Sequence, residues 1–514
     1  MSIEPFKRVF WIVLDGMGFE HARRCAESGR FPSLSRIADE GVLGPSRPSS
    51  PVCQTPPALV ALFCGAEPPA SGVWGYHMPD PQRPENSVSG FHARLSGVRP
   101  MWEELGDRGI GYSLMNVAFR NDPIWRSDAV DFAYDGYRLW KKPGIFRLGG
   151  RQESIQFQGV DLRISPTREG LVIRKGVRGI ARLAAGEGRL LQWGKRPAAY
   201  AHLVEKNLLL VSPLTIPGLR GAAAGGPGSD YSIDSNAFRE VRGINDHREA
   251  SEQVPVKAEM APSELSMDRK TELMLSAIAR TSSRLVVGYF PIIDEFSHVY
   301  ADRLEQDWPR GRVSELFSAC ASTVDRLLSR VMAASDGDTL VVVSSDHGAA
   351  STRKLLHLNE LLAAEGLVRR AGGGYDLRAS QVFYHPSDCG QVLARPGVDR
   401  EKSLAALRRA IGRAGAEHGV EIGLSEGGGE DPYLAFLYPL ADGYFTGHPP
   451  GRGRPLVKKA SGGHHLSPLS ATPWIQATLG LWSPRSHALV QELPPVPSEN
   501  AGVKAFLLET MGLT

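Results

Sequence analysis

Short runs of unbroken apolar residues, each closing on a polar tip, set the pattern of this chain. In the first, Val9 to Leu14 are apolar without alternation, and Asp15, Gly16 and Gly18 follow. That is how a strand buried on both faces of a parallel sheet reads. The tips of such strands are where open α/β sheets keep ligands, so Asp15 is either a ligand-bearing tip or the cap of the next helix. The pattern recurs at Arg284–Phe290, leading into Pro291-Ile292-Ile293-Asp294-Glu295-Phe296-Ser297-His298. It recurs again at Thr339–Val343, ending in Ser344-Ser345-Asp346-His347-Gly348. Gly111–Ala118 and a stretch near Trp474–Thr478 complete the predicted strands. Helical periodicity predicts helices over Met101–Gly109, Ser263–Thr281, about Arg312–Ala334, His357–Gly366, Ser403–His418 and Ala501–Met511.

One stretch differs from the rest. Ser49 to Gly65 reads as a turn-rich loop that ends in the Thr55 hydroxyl and runs directly into an apolar helix. Pro56 and Pro57 suit a first helical turn, where a missing N–H costs nothing. Thr55 is thereby expected at or near the N-cap, at the positive end of the helix dipole. A hydroxyl there is either a cap or a nucleophile facing an anion site.

The regular alternation breaks down at roughly 120–260 and 367–455, which read as insertions into one α/β core. The expected organisation is therefore core at 1–119, 261–366 and 456–514, with an inserted cap at 120–260 and a second at 367–455. Gly221–Ser235, rich in small residues, reads as a flexible loop. Between Arg138 and Arg196 stand 14 Lys or Arg against 4 Asp or Glu, in a chain of net charge +3. Such a run is ordinarily a solvated face, and it could also draw anions toward a neighbouring cleft. The overall charge gives no nucleic-acid signature, and no apolar run reaches membrane-spanning length. Five cysteines without paired spacing argue against a disulfide framework. With no signal-like segment at the start, the expectation is a cytoplasmic protein without membrane or specific nucleic-acid partners.

Four separated places then offer ligand-type side chains: Asp15, Asp294 with His298, Asp346 with His347, and His464 or His465. Mixed Asp/His sets suit Zn²⁺ or Mn²⁺, whereas all-oxygen cages suit Mg²⁺ or Ca²⁺. Two such ions about 4 Å apart can activate a hydroxyl and hold a phosphoryl group. No Ser-His-Asp arrangement is evident around Thr55, which makes a metal its expected activator.

In order and spacing these motifs resemble the type I phosphodiesterase/nucleotide pyrophosphatase family of the alkaline phosphatase superfamily. Leu14-Asp15-Gly16, Thr55-Pro56-Pro57 with Gly65, Ser71-Gly72-Val73 through Asp80, Asp294 with His298, Ser345-Asp346-His347-Gly348 and Gly463-His464 carry the resemblance. It implies an alkaline-phosphatase-like α/β core sheet flanked by helices, with Thr55 as nucleophile. It further implies two divalent metal ions, Zn²⁺ first and Mn²⁺ second. Asp15, Thr55, Asp346 and His347 would hold one, and Asp294, His298 and His464 the other. His464 is preferred to His465 because the family's ligand follows a short residue after Gly; His465 stands where Gly is usual, so the two can exchange roles. Tyr76, beside His77, occupies the place where family members carry an Asn that donates to a phosphoryl oxygen, and both are expected at the substrate. The implied reaction is cleavage of a phosphodiester or nucleotide pyrophosphate through a phospho-threonine, on a small phosphorus-containing ester. A phosphomonoester or phosphonate (phosphonoacetate-like) hydrolase, a phosphoryl transferase and a non-catalytic metal-binding protein share the same residues.

Overall fold

The computed structural model describes residues 4–80, 83, 85–92, 98–117, 129–135, 144–157, 159–193, 197–215, 218–221, 232–233, 256–386, 390–427, 433–441, 443–450, 456–459, 462–485 and 493–514. The greater part of the Gly221–Ser235 loop lies outside them.

The apolar runs assemble as expected into one central sheet. Its strands in chain order are β1 (Arg8–Leu14), β2 (Val42–Ser46), β3 (Tyr112–Met115), β4 (Val130–Asp135), β5 (Gly218–Gly221), β6 (Leu285–Phe290), β7 (Thr339–Ser344) and β8 (Ala477–Trp482). They lie side by side as β5-β4-β3-β6-β1-β7-β8-β2. The five strands from β4 to β7 are parallel, and β5, β8 and β2 close the edges antiparallel. β1 shows why the runs do not alternate. Phe10, Ile12 and Leu14 enter one apolar cluster, and Val9, Trp11 and Val13 the cluster on the opposite face. Both faces are covered, which is what a central parallel strand requires.

Helices α1 (Phe19–Glu27), α2 (Pro32–Glu40), α4 (Val256–Arg280), α5 (Ile292–Asp307) and α6 (Arg312–Ala333) bear on the first cluster. Helix α3 (Thr55–Cys64) and the C-terminal helix Val503–Thr510 bear on the second. All ten residues of α3 are buried, so the helix is apolar on every side rather than striped.

Several expectations are corrected. The last strand starts at Ala477 instead of near Trp474, because Pro473 opens a 3₁₀ turn over Pro473–Ile475. The segment after β6, to which the sequence reading assigned no element, is the long helix α5, so the Asp294-to-His298 spacing is about one helical turn. Strand β2 carries Gly44 and Pro45 and was not visible as an apolar run; it lies at the sheet edge, where proline is tolerated. Two strands inside 120–260, β4 and β5, extend the central sheet. Residues 144–215 of that span, where described, form antiparallel sheets with their own apolar cluster, and its end, from Val256, is the start of α4. The charged positions Arg163, Arg174 and Arg182 lie on exposed faces there, consistent with a solvated surface. The second cap reaches back to Lys354–His357, which pairs with Gly443–Thr446 and Val457–Lys459. Its own cluster includes Leu358 and Leu362 beside the helix Arg400–His418.

The C-terminal segment pins the end of β7. Asn500 Nδ2 donates to the carbonyls of Ser345 (3.1 Å) and Asp346 (2.8 Å), and its Oδ1 accepts from Ser46 Oγ at 2.7 Å. Asn500→Ala leaves these buried groups unpaired. It is expected to lower unfolding stability by about 2–4 kcal/mol, read from urea denaturation midpoints at unchanged m-value.

Candidate metal and active site

Three adjacent parallel strands deliver the acidic groups from their C-terminal ends. Asp15 follows β1, Asp294 lies in the first turn of α5 after β6, and Asp346 and His347 follow β7. The tips are held in register by backbone bonds: Asp15 N–H donates to Phe290 O (3.1 Å) and Asp294 N–H to Asp15 O (3.0 Å). Gly16 has φ of +71°, and a Cβ there would sit 2.6 Å from Asp294 Cα. Only glycine lets the two tips approach this closely.

The histidines face the same space. His347 Nδ1 is bonded to the Gly348 carbonyl at 3.0 Å, and its Nε2 lies 3.3 Å from Asp15 Oδ1, 3.4 Å from Asp346 Oδ2 and 3.2 Å from Thr55 Oγ1. His298 repeats the arrangement, with Nδ1 on the Gly463 carbonyl at 3.0 Å and Nε2 3.3 Å from Asp294 Oδ2. A carbonyl on Nδ1 fixes the proton there and leaves Nε2 as a lone-pair donor, the orientation that metal-ligating histidines take. In a hydroxyl–imidazole–carboxylate triad the carboxylate and the hydroxyl would occupy opposite ring nitrogens. Here both converge on one.

Asp15 Oδ1, Asp294 Oδ1, Asp346 Oδ2 and both ring nitrogens of His465 are buried without a hydrogen-bond partner. Burial, then the neighbouring Asp346 and Asp294, push the Asp15 carboxyl well above its ordinary value. Burial raises Asp346 as well. Burial works against Asp294 too, but the adjacent His298 holds it below the usual carboxylate range. Burial, reinforced by His347, depresses the His465 imidazole strongly, so it is neutral. Orphaned carboxylate oxygens and neutral imidazole nitrogens converging in one buried space fit a divalent cation. Among the described residues, two groups have ligand atoms all within 4.8 Å of one another: Asp15, Asp294 and His347, and Asp294, His298 and His465.

Thr55 is the first residue of α3, and Gln54 holds the N-cap position, one residue earlier than expected. Pro56 and Pro57 carry no N–H, so this helix start presents little beyond the Thr55 hydroxyl and its own amide. That hydroxyl is buried and lies 2.6 Å from Tyr76 Oη. Gln54 Oε1 accepts from Tyr76 N–H at 3.0 Å, and the ring of Tyr76 meets Phe91 edge-on at 5.5 Å. Tyr76 and the exposed His77 line a cleft of about 740 Å³ together with Asp15, Asp294, His298 and His465.

His464 and His465 take separate places. His465 stands 4.0 Å from Asp294 Oδ1, with its ring 4.0 Å from that of His347. His464 stacks on Tyr444 at 3.9 Å, and the metal-type groupings contain His465 in its stead. The sequence reading also missed Tyr289, whose hydroxyl donates to Asp15 Oδ2. Inside an unbroken apolar run, nothing distinguishes its hydroxyl from a core aromatic.

The sequence matches the type I phosphodiesterase/nucleotide pyrophosphatase family over residues 9–144 and 189–419. Among curated proteins no relative matches. Among solved structures the fold is similar to phosphonoacetate hydrolase from Sinorhizobium meliloti 1021 in complex with phosphonoformate. That likeness has a TM-score of 0.52 at 13% identity, covering 99% of this chain and 96% of the other. Murine ectonucleotide pyrophosphatase/phosphodiesterase 5, as an inactive variant with AMP, aligns with a TM-score of 0.49 at 11% identity, covering 99% and 96%.

The placement of the tandem histidines generates a direct test. His465→Ala is expected to weaken Zn²⁺ affinity more than about 10-fold, the least seen when even an indirect support of a metal ligand is removed. His464→Ala should leave it within about twofold of wild type, since His464 is outside both groups. Metal titration against a chromophoric chelator reads both, and the opposite ranking would return the ligand role to His464.

Proposed function

Because the chain belongs to the type I phosphodiesterase/nucleotide pyrophosphatase family, we propose that it is a metal-dependent hydrolase of phosphodiester or nucleotide pyrophosphate bonds. The observation that carries this reading is the Thr55 hydroxyl, 3.2 Å from a histidine nitrogen that two buried carboxylates share. Asp15, Asp346 and His347, with Thr55, would hold one metal ion; Asp294, His298 and His465 would hold the other. When bound, divalent ions supply positive charge that favours the alkoxide form of a hydroxyl and stabilises phosphoryl oxygens.

The chain's own groups do the rest. Thr55 Oγ1 attacks phosphorus, an O–P bond forms, and the bond to the leaving oxygen breaks. The resulting phospho-threonine is released when water attacks the same phosphorus and the Thr55 O–P bond breaks. Tyr76 Oη, 2.6 Å from Thr55 Oγ1, shares a hydrogen bond with that oxygen before attack and orients it, and the Thr55 proton leaves to solvent as the O–P bond forms. Tyr76 is then beside the phosphoryl oxygens, where an Asn amide stands in family members. The clamp from Gln54 and Phe91 keeps the phenol from swinging away. Tyr289 and Asn500 act only through others, by holding the strand tips.

The alternative on this scaffold is a phosphonate hydrolase of the phosphonoacetate type. A free carboxylate on the substrate would call for a cationic partner, and no Lys or Arg is among the described residues lining the cleft. The ester reading is therefore preferred.

A paired screen tests it. Purified protein should contain about two metal ions per chain and cleave bis-p-nitrophenyl phosphate faster than p-nitrophenyl phosphate, without releasing phosphate from phosphonoacetate. Thr55→Ala should lower kcat about 10³-fold or more while keeping most of the metal. Cleavage of phosphonoacetate alone would move the substrate to phosphonates, and full turnover by Thr55→Ala would remove the phospho-threonine.

A further inference from the structure

Residues 145–188 fall between the two stretches that match the family, and most of them build a four-stranded antiparallel sheet. Its strands, Glu153–Phe157, Val160–Pro166, Gly170–Lys175 and Arg178–Ala184, lie side by side in chain order. One face is occupied: Ile155, Phe157, Leu162, Ile164, Ile173 and Leu183 are buried in the apolar cluster of this cap. The alternate positions along the same strands form the opposite face, which is open to solvent.

That open face is cationic at its centre. Arg163 stands directly opposite Arg174 on the next strand, with Ser154 on its other side. Arg182, on the edge strand, lies opposite Val172 and so shares the face. Opposed side chains stand about 5 Å apart, and like charges so placed destabilise a sheet. Among the described residues no carboxylate offsets them; Asp161, two positions from Arg163, forms no ion pair with any of the three. The hairpin tip continues the charge. Lys175 and Arg178 pair across a two-residue turn, with Gly176 at φ +58°, as tight hairpins favour. Val177 at the apex is 99% exposed. From Leu171 to Gly186 the chain has four Lys or Arg and no Asp or Glu. An apolar apex flanked by cations, beside a flat cationic face, has the make-up of an element that rests on anionic lipid. A nucleic acid is a poorer fit, since the face offers no aromatic ring on which a base could stack.

We propose that this face and its hairpin tip are a docking surface for an anionic lipid bilayer, with Val177 entering the headgroup layer and Arg163, Arg174, Lys175, Arg178 and Arg182 meeting the lipid phosphates. The contact is peripheral. The expectation of no membrane partner came from the lack of a spanning run, and a surface contact needs none. The docking surface is also independent of the phosphoryl site, whose chemistry it neither uses nor requires.

Cosedimentation of the full-length protein with lipid vesicles tests it. Binding is expected to mixed phosphatidylcholine–phosphatidylglycerol vesicles at low salt, is expected to be absent with phosphatidylcholine alone, and should fall as salt screens the cations. Arg163→Gln together with Arg174→Gln should weaken partitioning about tenfold or more, and Val177→Ser about threefold. Because the double variant removes a like-charge pair, its melting temperature should be no lower than that of wild type, which separates lost binding from lost fold. No binding to the mixed vesicles, equal binding to neutral ones, or partitioning unchanged in the double variant would overturn the proposal. So would a double-stranded oligonucleotide that binds more tightly than the mixed vesicles and is released by the double variant, a result that assigns the face to nucleic acid.

Discussion

Three carboxylates that repel one another are forced into a single buried space, and much of the architecture serves to hold them there. Asp15, Asp294 and Asp346 come from three neighbouring parallel strands, so their separation is set by the strand spacing, about 4.8 Å, rather than by side-chain choice. Burial and mutual charge disfavour ionisation of such a set. A cation in their midst reverses that penalty, and without one the arrangement is a standing cost in stability. The supports counter the repulsion mechanically. Tyr289 holds Asp15, the Gly16 and His347 amides donate to Asp346 Oδ1 at 3.3 and 3.0 Å, and Asn500 fixes the backbone of Ser345 and Asp346.

The loop bearing Thr55 and the segment bearing His465 are bound to each other as well as to the sheet. Cys53 Sγ donates to the Leu466 carbonyl at 3.0 Å, and Ser467 Oγ to the Pro51 carbonyl at 2.7 Å. The hydroxyl and the imidazole are thus placed by one shared piece of structure, although more than 400 residues of chain separate them. Trp74 against Phe436 adds the second cap to the same assembly.

What the sequence disclosed followed from physical signals of short range. Unbroken apolar runs revealed β1, β6 and β7, because burial on both faces removes the alternation that would otherwise obscure a strand's ends. Asp15, Asp346 and His347 were legible at those ends for the same reason. Asp294 and His298 were legible as a pair by their i,i+4 spacing, which falls in the first turns of α5. Edge strand β2 was hidden by Gly44 and Pro45, and β4 and β5 by the polar sequence around them; edge pairing needs backbone hydrogen bonds more than apolar content. Tyr289 gave no signal at all, since an aromatic in an apolar strand looks alike whether it fills a core or braces a carboxylate.

The tandem His464-His465 shows how local geometry decides between chemically identical candidates. Gly463 and His464 pair antiparallel with Ala350 and Ser351, and extended backbone sends consecutive side chains to opposite sides. Both rings meet that of His298, His464 at 5.6 Å and His465 at 5.0 Å, and His465 also stands 4.0 Å from Asp294 Oδ1. Spacing from the preceding glycine favoured His464, but the bond from His298 Nδ1 to the Gly463 carbonyl fixes the strand so that the next residue but one enters the carboxylate cluster. His464 is then turned toward the cap, where Tyr444 covers it. A glycine at position 465 would have left one histidine here; with two, His465 stands beside Asp294 and His464 against Tyr444.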